Sequence, residues 1–141
     1  MSTSVGVGVP SVGRALVVDD EESIRRNLCI YLVDEGFEVS GAESGEEALE
    51  ILIRQPFEAA IVDMRLPGID GNAFIEEAHK VDSALGFLIF TGSAGYQLPE
   101  RLTRIGLRES QVFRKPLGDM TGLVEALAGI LRERQDSEEK G

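Results

Sequence analysis

A single cysteine, Cys29, is all the thiol chemistry available to this chain of 141 residues, which excludes an intrachain disulfide and any metal site built on several cysteines. It reads as a small buried hydrophobe. Long hydrophobic runs are also missing: none approaches the ~20 residues of a membrane span, so a soluble protein is expected. Met1 to Gly13, rich in Ser, Gly and Val, has neither the basic start nor the apolar core of a secretory signal; it reads as a flexible N-terminal arm, with the cytoplasm as the expected compartment. Its Gly-Val-Gly-Val is not a dinucleotide fingerprint, because no strand precedes it and no helix opens after it. Histidine is reduced to His79, near a helix end and without an assigned role. Basic residues are few, 14 against 25 acidic ones, and the resulting charge of −11 opposes attachment to the phosphates of nucleic acid. Repeats and low-complexity tracts are absent.

What remains fits one domain. The chain is long enough to bury roughly two-thirds of its unfolded surface in a single core, and too short for a second domain. With 43% hydrophobic and 28% charged residues it has an ordinary globular composition. Strand-like runs near 15–19, 37–41, 58–63, 86–91 and 111–114 alternate with segments of helical period, the pattern of a doubly wound α/β parallel sheet. The runs are nearly unalternating, which implies burial on both faces and a three-layer (βα)5 sandwich. Helices are expected over Glu22 to Asp34, from Ser44-Gly-Glu-Glu to about Arg54, over Asn72 to Lys80, and over Pro99 to Ile105 with Pro99 in the first turn. A last helix carries the stripe Leu123, Val124, Leu127, Ile130 and Leu131, with Asp119 or Thr121 as its cap. The domain is expected to span 14–134, with 135–141 a disordered charged tail.

The chemistry lies where the apolar runs end. Asp19 and Asp20 close the run Ala15 to Val18, Asp63 closes Ala59 to Val62, and Thr91 ends a fourth run. Lys115 follows Val112-Phe-Arg and precedes Pro116. In an open parallel sheet these carboxyl ends converge on one crevice, so residues far apart in sequence share a site. Carboxylates packed together raise one another's pKa and favour uptake of a proton or a cation. A hard divalent cation such as Mg²⁺ suits an all-oxygen set, with Asp20 and Asp63 as direct ligands and Asp19 acting through water. An aspartate can also attack phosphorus to give an acyl phosphate when metal and ammonium clamp the phosphoryl oxygens; Thr91 and Lys115 would supply that clamp. Taken singly, acids at a helix start or a Lys-Pro turn are commonplace.

From about Arg14 to Arg134 the chain resembles the receiver domain of two-component response regulators. The resemblance rests on Leu16-Val-Val-Asp-Asp-Glu, Ile61-Val-Asp-Met-Arg-Leu-Pro-Gly-Ile-Asp-Gly, Phe90-Thr-Gly and Lys115-Pro116, in that order and spacing. It implies a flavodoxin-like strand order 2-1-3-4-5. It also implies that Asp63 accepts a phosphoryl group from the phosphohistidine of a sensor histidine kinase or phosphotransfer protein. Asp19, Asp20 and Asp63, with the main-chain carbonyl of Arg65, would hold Mg²⁺. Thr91 would bond a phosphoryl oxygen and shift the following loop, Lys115 would be the clamping cation, and Pro116 would follow a cis peptide bond. Gly92 matches a small residue that lets the phosphoryl group approach. The domain would be no enzyme beyond its own phosphorylation and dephosphorylation. Its output would go to a downstream protein or a missing C-terminal output domain, with a homodimer through helix 4, strand 5 and helix 5 as one form.

The chain departs from the family at Val112, where an aromatic residue usually reports phosphorylation. Phe113 comes next, but strand alternation points it to the other face. Leu117 replaces a frequent aromatic after the proline. The expectation is therefore that the signal leaves through helix 4 and its loop, including Tyr96. Val112 also favours an alternative, a receiver-fold interaction module acting without phosphorylation. A hydrolase with an aspartate nucleophile would want a second acid two residues on, where Arg65 stands. Glu43, Glu46, Glu47 and Glu50 crowd one segment and Arg101, Arg104, Arg108, Arg114 and Lys115 another; this asymmetry either orients a protein partner or makes two solvated faces.

Overall fold

A computed structural model of the chain describes residues 12–116 and 118–140, with the side chains of 135–140 omitted. The arm expected over 1–13 thus lies outside the described residues except for its last two, as do Leu117 and Gly141. Strands β1 (Arg14–Val18), β2 (Glu38–Ala42), β3 (Ala59–Val62), β4 (Gly86–Thr91) and β5 (Val112–Arg114) form one parallel sheet in the order β2-β1-β3-β4-β5. Helices α1 (Glu22–Asp34), α2 (Gly45–Arg54), α3 (Gly71–Val81), α4 (Glu100–Thr103) and α5 (Thr121–Lys140) make the crossovers and close the fold. The doubly wound architecture and strand order are those expected. No helix among the described residues is long and apolar enough to cross a membrane.

Alternation along the strands divides the core in two. Leu16, Val18, Ala60, Val62, Phe87 and Ile89 face α2, α3 and α4, packing with Ala48, Leu52, Phe74, Ile75 and Leu102. Ala15, Val17, Ala59, Ile61, Leu88 and Phe90 face α1 and α5, packing with Leu28, Leu32, Leu123 and Leu127. Each fully buried Leu, Ile or Phe contributes on the order of 2 kcal/mol of transfer free energy, so the two layers are the main source of cohesion. The same alternation puts Val112 on the first face and Phe113 on the second. Phe113 therefore does not take the place of Val112.

Caps set the helix starts. Ser44 accepts from the Glu47 amide at 3.1 Å, and Asp70 accepts from the Ala73 amide at 2.8 Å. Before α5, Asp119 Oδ1 accepts from the Thr121 amide at 2.9 Å. Helix α4 is shorter than expected. Pro99 is its N-cap rather than part of its first turn, and the chain turns out at Gly106, whose φ of +109° suits a residue without Cβ. The Leu107 amide then returns to the Leu102 carbonyl (3.1 Å), closing the helix end. Helix α5 is longer than expected: its backbone continues to Lys140 rather than stopping at Arg134, because the polar segment after Arg134 holds no proline or glycine before Gly141.

Candidate functional site

The parallel register delivers the acids. Val18 stands opposite Val62, so Asp19 and Asp63 leave neighbouring strand ends side by side, with the Asp63 amide bonded to the Val18 carbonyl at 2.9 Å. Asp19 is 3% exposed and Asp63 4%, whereas Asp20 is exposed. On the other side of β3, Thr91 is the fully buried last residue of β4, and the Lys115 amide bonds its carbonyl at 2.8 Å. The Lys115–Pro116 peptide is cis. Asp19, Asp20, Asp63, Thr91 and Lys115, each from a different run end or its neighbour, thus gather at one end of the sheet as the sequence implied.

Lys115 is the electrostatic centre. Its Nζ lies 2.8 Å from Asp19 Oδ2, 3.4 Å from Asp63 Oδ2 and 3.5 Å from Glu21 Oε1, and 5.6 Å from the Phe90 ring centroid. Burial lowers the lysine's pKa, but the hydrogen bond and charge of Asp19 with the charges of Asp63 and Glu21 outweigh it and leave it above 10.5. Asp63 is displaced upward from 3.8: burial and the Asp19 charge raise it more than Lys115 and the Arg65 amide lower it. An ammonium held charged beside a carboxyl reluctant to ionise is an arrangement in want of more positive charge.

The donor set fits a hard cation. One carboxylate oxygen from each of Asp19, Asp20 and Asp63 lies within 4.8 Å of the others, with no nitrogen or sulfur ligand in the group. Mg²⁺ matches three close carboxylates that Lys115 alone does not neutralise. The cleft beside them, about 270 Å³, is lined by Asp20, Glu21, Asp63, Arg65, Gly92 and Lys115. A Cβ on Gly92 would stand 3.8 Å from Lys115 Cδ, so the glycine leaves the mouth open on that side.

Several residues here were not legible as site residues. Glu21 adds a third carboxylate against Lys115, beside Asp19 and Asp63; the acidic residue after the Asp pair was its one sequence signal. Arg25 Nη1 donates to the Asp19 carbonyl at 2.8 Å, fixing the turn out of β1. Ser93 is a node: its amide donates to Thr91 Oγ1 (3.2 Å), its hydroxyl accepts from Arg65 Nε (3.0 Å), and its carbonyl accepts from Arg114 Nη1 (3.1 Å). Nothing in the spacing announces these guanidinium contacts: Arg65 entered as a site residue only through its main-chain carbonyl and Arg114 only as part of a basic segment. Tyr96 donates its phenol proton to Asn72 Oδ1 at 2.8 Å.

Comparison with known proteins agrees with this geometry. Residues 15–128 match the family model described as response regulator receiver domain. A response regulator receiver protein of Anaeromyxobacter sp. is 34% identical over 94 residues, covering 67% of this chain and 40% of the relative. The transcriptional regulatory protein AruR of Pseudomonas aeruginosa is 41% identical over 86 residues, 57% of this chain and 35% of its own. The chain thus spans well under half the length of these two relatives. Among solved structures, a receiver domain protein from Methanospirillum hungatei superposes with a TM-score of 0.78 at 28% identity, covering 90% of this chain and 99% of that one. The response regulator TrrA of Thermotoga maritima, solved in complex with Mg²⁺ and BeF, gives 0.71 at 29% identity, with 83% and 97% covered.

Proposed function

This chain belongs to the response regulator receiver family, and from that premise we propose that Asp63 accepts a phosphoryl group from the phosphohistidine of a sensor histidine kinase or phosphotransfer protein. The observation that carries the proposal is a buried Asp63 at the end of β3 with the Lys115 ammonium at 3.4 Å and two further carboxylates within 4.8 Å. A carboxylate Oδ of Asp63 attacks phosphorus; the new O–P bond forms as the P–N bond breaks, and the departing ring nitrogen keeps the electron pair. Lys115 favours the ionised form of Asp63, against the pull of burial and the Asp19 charge, and bonds an equatorial phosphoryl oxygen. Thr91, at the adjacent strand end, donates its hydroxyl proton to another oxygen. Glu21 and Arg25 position: one restrains Lys115, the other the turn that carries the acidic pair.

Asp19, Asp20, Asp63 and the main-chain carbonyl of Arg65 are the groups for Mg²⁺, which when bound offsets the charge shared between carboxylates and phosphoryl oxygens. The chain catalyses its own phosphorylation and dephosphorylation and turns over no other substrate. Its work is cytoplasmic, where it relays the phosphoryl state to a downstream protein or an output domain beyond this sequence. The surface of α4, β5 and α5 is the candidate homodimer face. A constitutive interaction module is the second reading, and Val112, in place of the usual aromatic, is what favours it.

Incubation with acetyl phosphate and Mg²⁺ tests the proposal by intact mass. The natural chain is expected to gain one phosphoryl group, lost on chelation of the metal before the reaction and absent in Asp63→Ala. A natural chain that gains nothing, or an Asp63→Ala variant that gains as much, would refute it.

A further inference from the structure

The loop from Gly92 to Pro99, between β4 and α4, is held at the edge of the site by side-chain hydrogen bonds rather than by a strand ladder. At its centre Ser93 to Tyr96 is a tight turn closed by the Tyr96 amide on the Ser93 carbonyl at 3.2 Å. Arg114, the last residue of β5 and the one before Lys115, puts one guanidinium nitrogen on each end of that turn: Nη1 on the Ser93 carbonyl (3.1 Å) and Nη2 on the Tyr96 carbonyl (3.0 Å). A planar fork spanning two carbonyls fixes orientation as well as distance. The head of the turn is tied to the site through the Ser93 amide on Thr91 Oγ1. Its tail is tied to the first turn of α3 through the Tyr96 phenol on Asn72.

Tyr96 also packs, half-buried, against the same core layer as Val112, Leu98 and Ile105. An aromatic ring is thus present on this face after all, supplied by the loop and not by β5. Arg114 shares the face of Val112, two residues further along the strand.

We infer that Tyr96 is the aromatic reporter of the phosphorylated state and that Arg114 is the positioning residue coupling it to Thr91, so that the surface that changes is the edge between α3 and α4. The inference rests on the function proposed above. When Thr91 turns its hydroxyl to a phosphoryl oxygen, its bond to the Ser93 amide is lost or lengthened at the head of the turn. Because Arg114 grips both ends, the turn shifts as a unit and carries the phenol off Asn72. That edge is where Arg101 of α4 meets Glu76 of α3 at 3.5 Å. The device is a two-state turn biased from both ends, which is what coupling between distant groups requires.

The chain has two tyrosines and no tryptophan, so fluorotyrosine labelling gives two fluorine resonances, assigned with Tyr31→Phe. The experiment records them alongside amide spectra, with Mg²⁺ and then with beryllofluoride as the phosphoryl stand-in. Beryllofluoride is expected to shift the amides of Asp63 and Gly92 and, with them, the Tyr96 fluorine, leaving Tyr31 in place. In Arg114→Gln the pocket amides still shift while the Tyr96 response is lost or greatly reduced. In Asn72→Ala the Tyr96 resonance moves toward its activated position before beryllofluoride is added. Pocket shifts with a silent Tyr96, or an undiminished Tyr96 response in Arg114→Gln, would overturn the inference and leave the phosphoacceptor reading standing. Silent pocket amides would overturn both.

Discussion

Replacing Asp63 by Asn should stabilise the metal-free protein while abolishing the proposed phosphoacceptance. Asp63 is 4% exposed, and burial together with the Asp19 charge raises its pKa above 3.8 despite Lys115 at 3.4 Å. Above the folded-state pKa the carboxyl is ionised in both states, and the folded protein carries the full penalty. As pH falls through that pKa the folded protein takes up the proton before the unfolded chain does, so the penalty fades and is gone below 3.8. A neutral isostere escapes that penalty and should be the more stable protein at neutral pH, by ~1.4 kcal/mol for each pKa unit of upward displacement. For a domain of this size each kcal/mol so gained raises Tm by about 3–5 °C. Lys115 keeps its bonds to Asp19 (2.8 Å) and Glu21 (3.5 Å), so the amide does not strand it. Thermal melts of both proteins in chelator from pH 7 down to pH 4 make the assay: the gap should be widest at pH 7 and close as pH falls. Saturating Mg²⁺, at 100 times its dissociation constant, should add about 2.7 kcal/mol to the natural protein and less to the variant. An Asn variant less stable than the natural protein in chelator at pH 7 would refute the electrostatic reasoning.

Lys115→Met leaves Asp19 and Asp63 facing each other at side-chain exposures of 4% and 5%; it should cost about 3 kcal/mol in chelator, with much of the loss restored by Mg²⁺, read by urea unfolding with and without the ion. Gly71→Ala places a Cβ 2.5 Å from the Asp63 carbonyl oxygen and 2.8 Å from Met64 Cα, both backbone atoms, so the start of α3 must retreat. A loss of about 2 kcal/mol with slower phosphorylation is expected, and an unchanged Tm would disprove the contact. Burial pushes the Tyr96 phenol up to about 12, with the Glu109 charge adding to it, so an ultraviolet titration of Tyr31→Phe should show a phenol ionising near 12 rather than near 10.

The parts of this fold that follow from period and strand ends were readable from the chain, and those that depend on side-chain reach across loops were not. Asp19, Asp63, Thr91 and Lys115 could be placed because each ends an apolar run, and a parallel sheet leaves those ends one destination. Val112 and Phe113 fell on opposite faces for the same reason. Helix α4 was overestimated because Leu102, Ile105 and the polar residues between them have helical spacing, while the helix itself stops at Thr103 and the chain turns over Arg104 to the left-handed Gly106. Arg65 was legible as a site residue only through its main-chain carbonyl, and Arg114 only as one member of a crowded basic segment. Their guanidinium groups find Ser93 from residues 28 and 21 positions away, a convergence written in tertiary geometry and in no local pattern.

Lys115 lies closer to Asp19 than to Asp63, although the proposed chemistry wants it at oxygens carried by Asp63. The order follows from charge. In the unphosphorylated protein the ammonium is the counter-charge bonded to Asp19, and Glu21 holds it on that side. Asp19 and Asp20 would also be held by a divalent cation, and Asp19 engaged in that way would release the ammonium toward Asp63. Phosphoryl oxygens on Asp63, as proposed, would draw the ammonium the same way and leave Asp19 to the cation. Two ligands that move one group in one direction strengthen each other's binding by the same factor, typically 5- to 150-fold for such couplings. Mg²⁺ titrations with and without beryllofluoride should therefore show tighter Mg²⁺ binding in its presence, and Lys115→Met should remove the part of that gain which the ammonium carries. Equal gains in the two proteins would mean that direct attraction between the ligands accounts for all of it, and that the lysine's preference for Asp19 plays no part in the coupling.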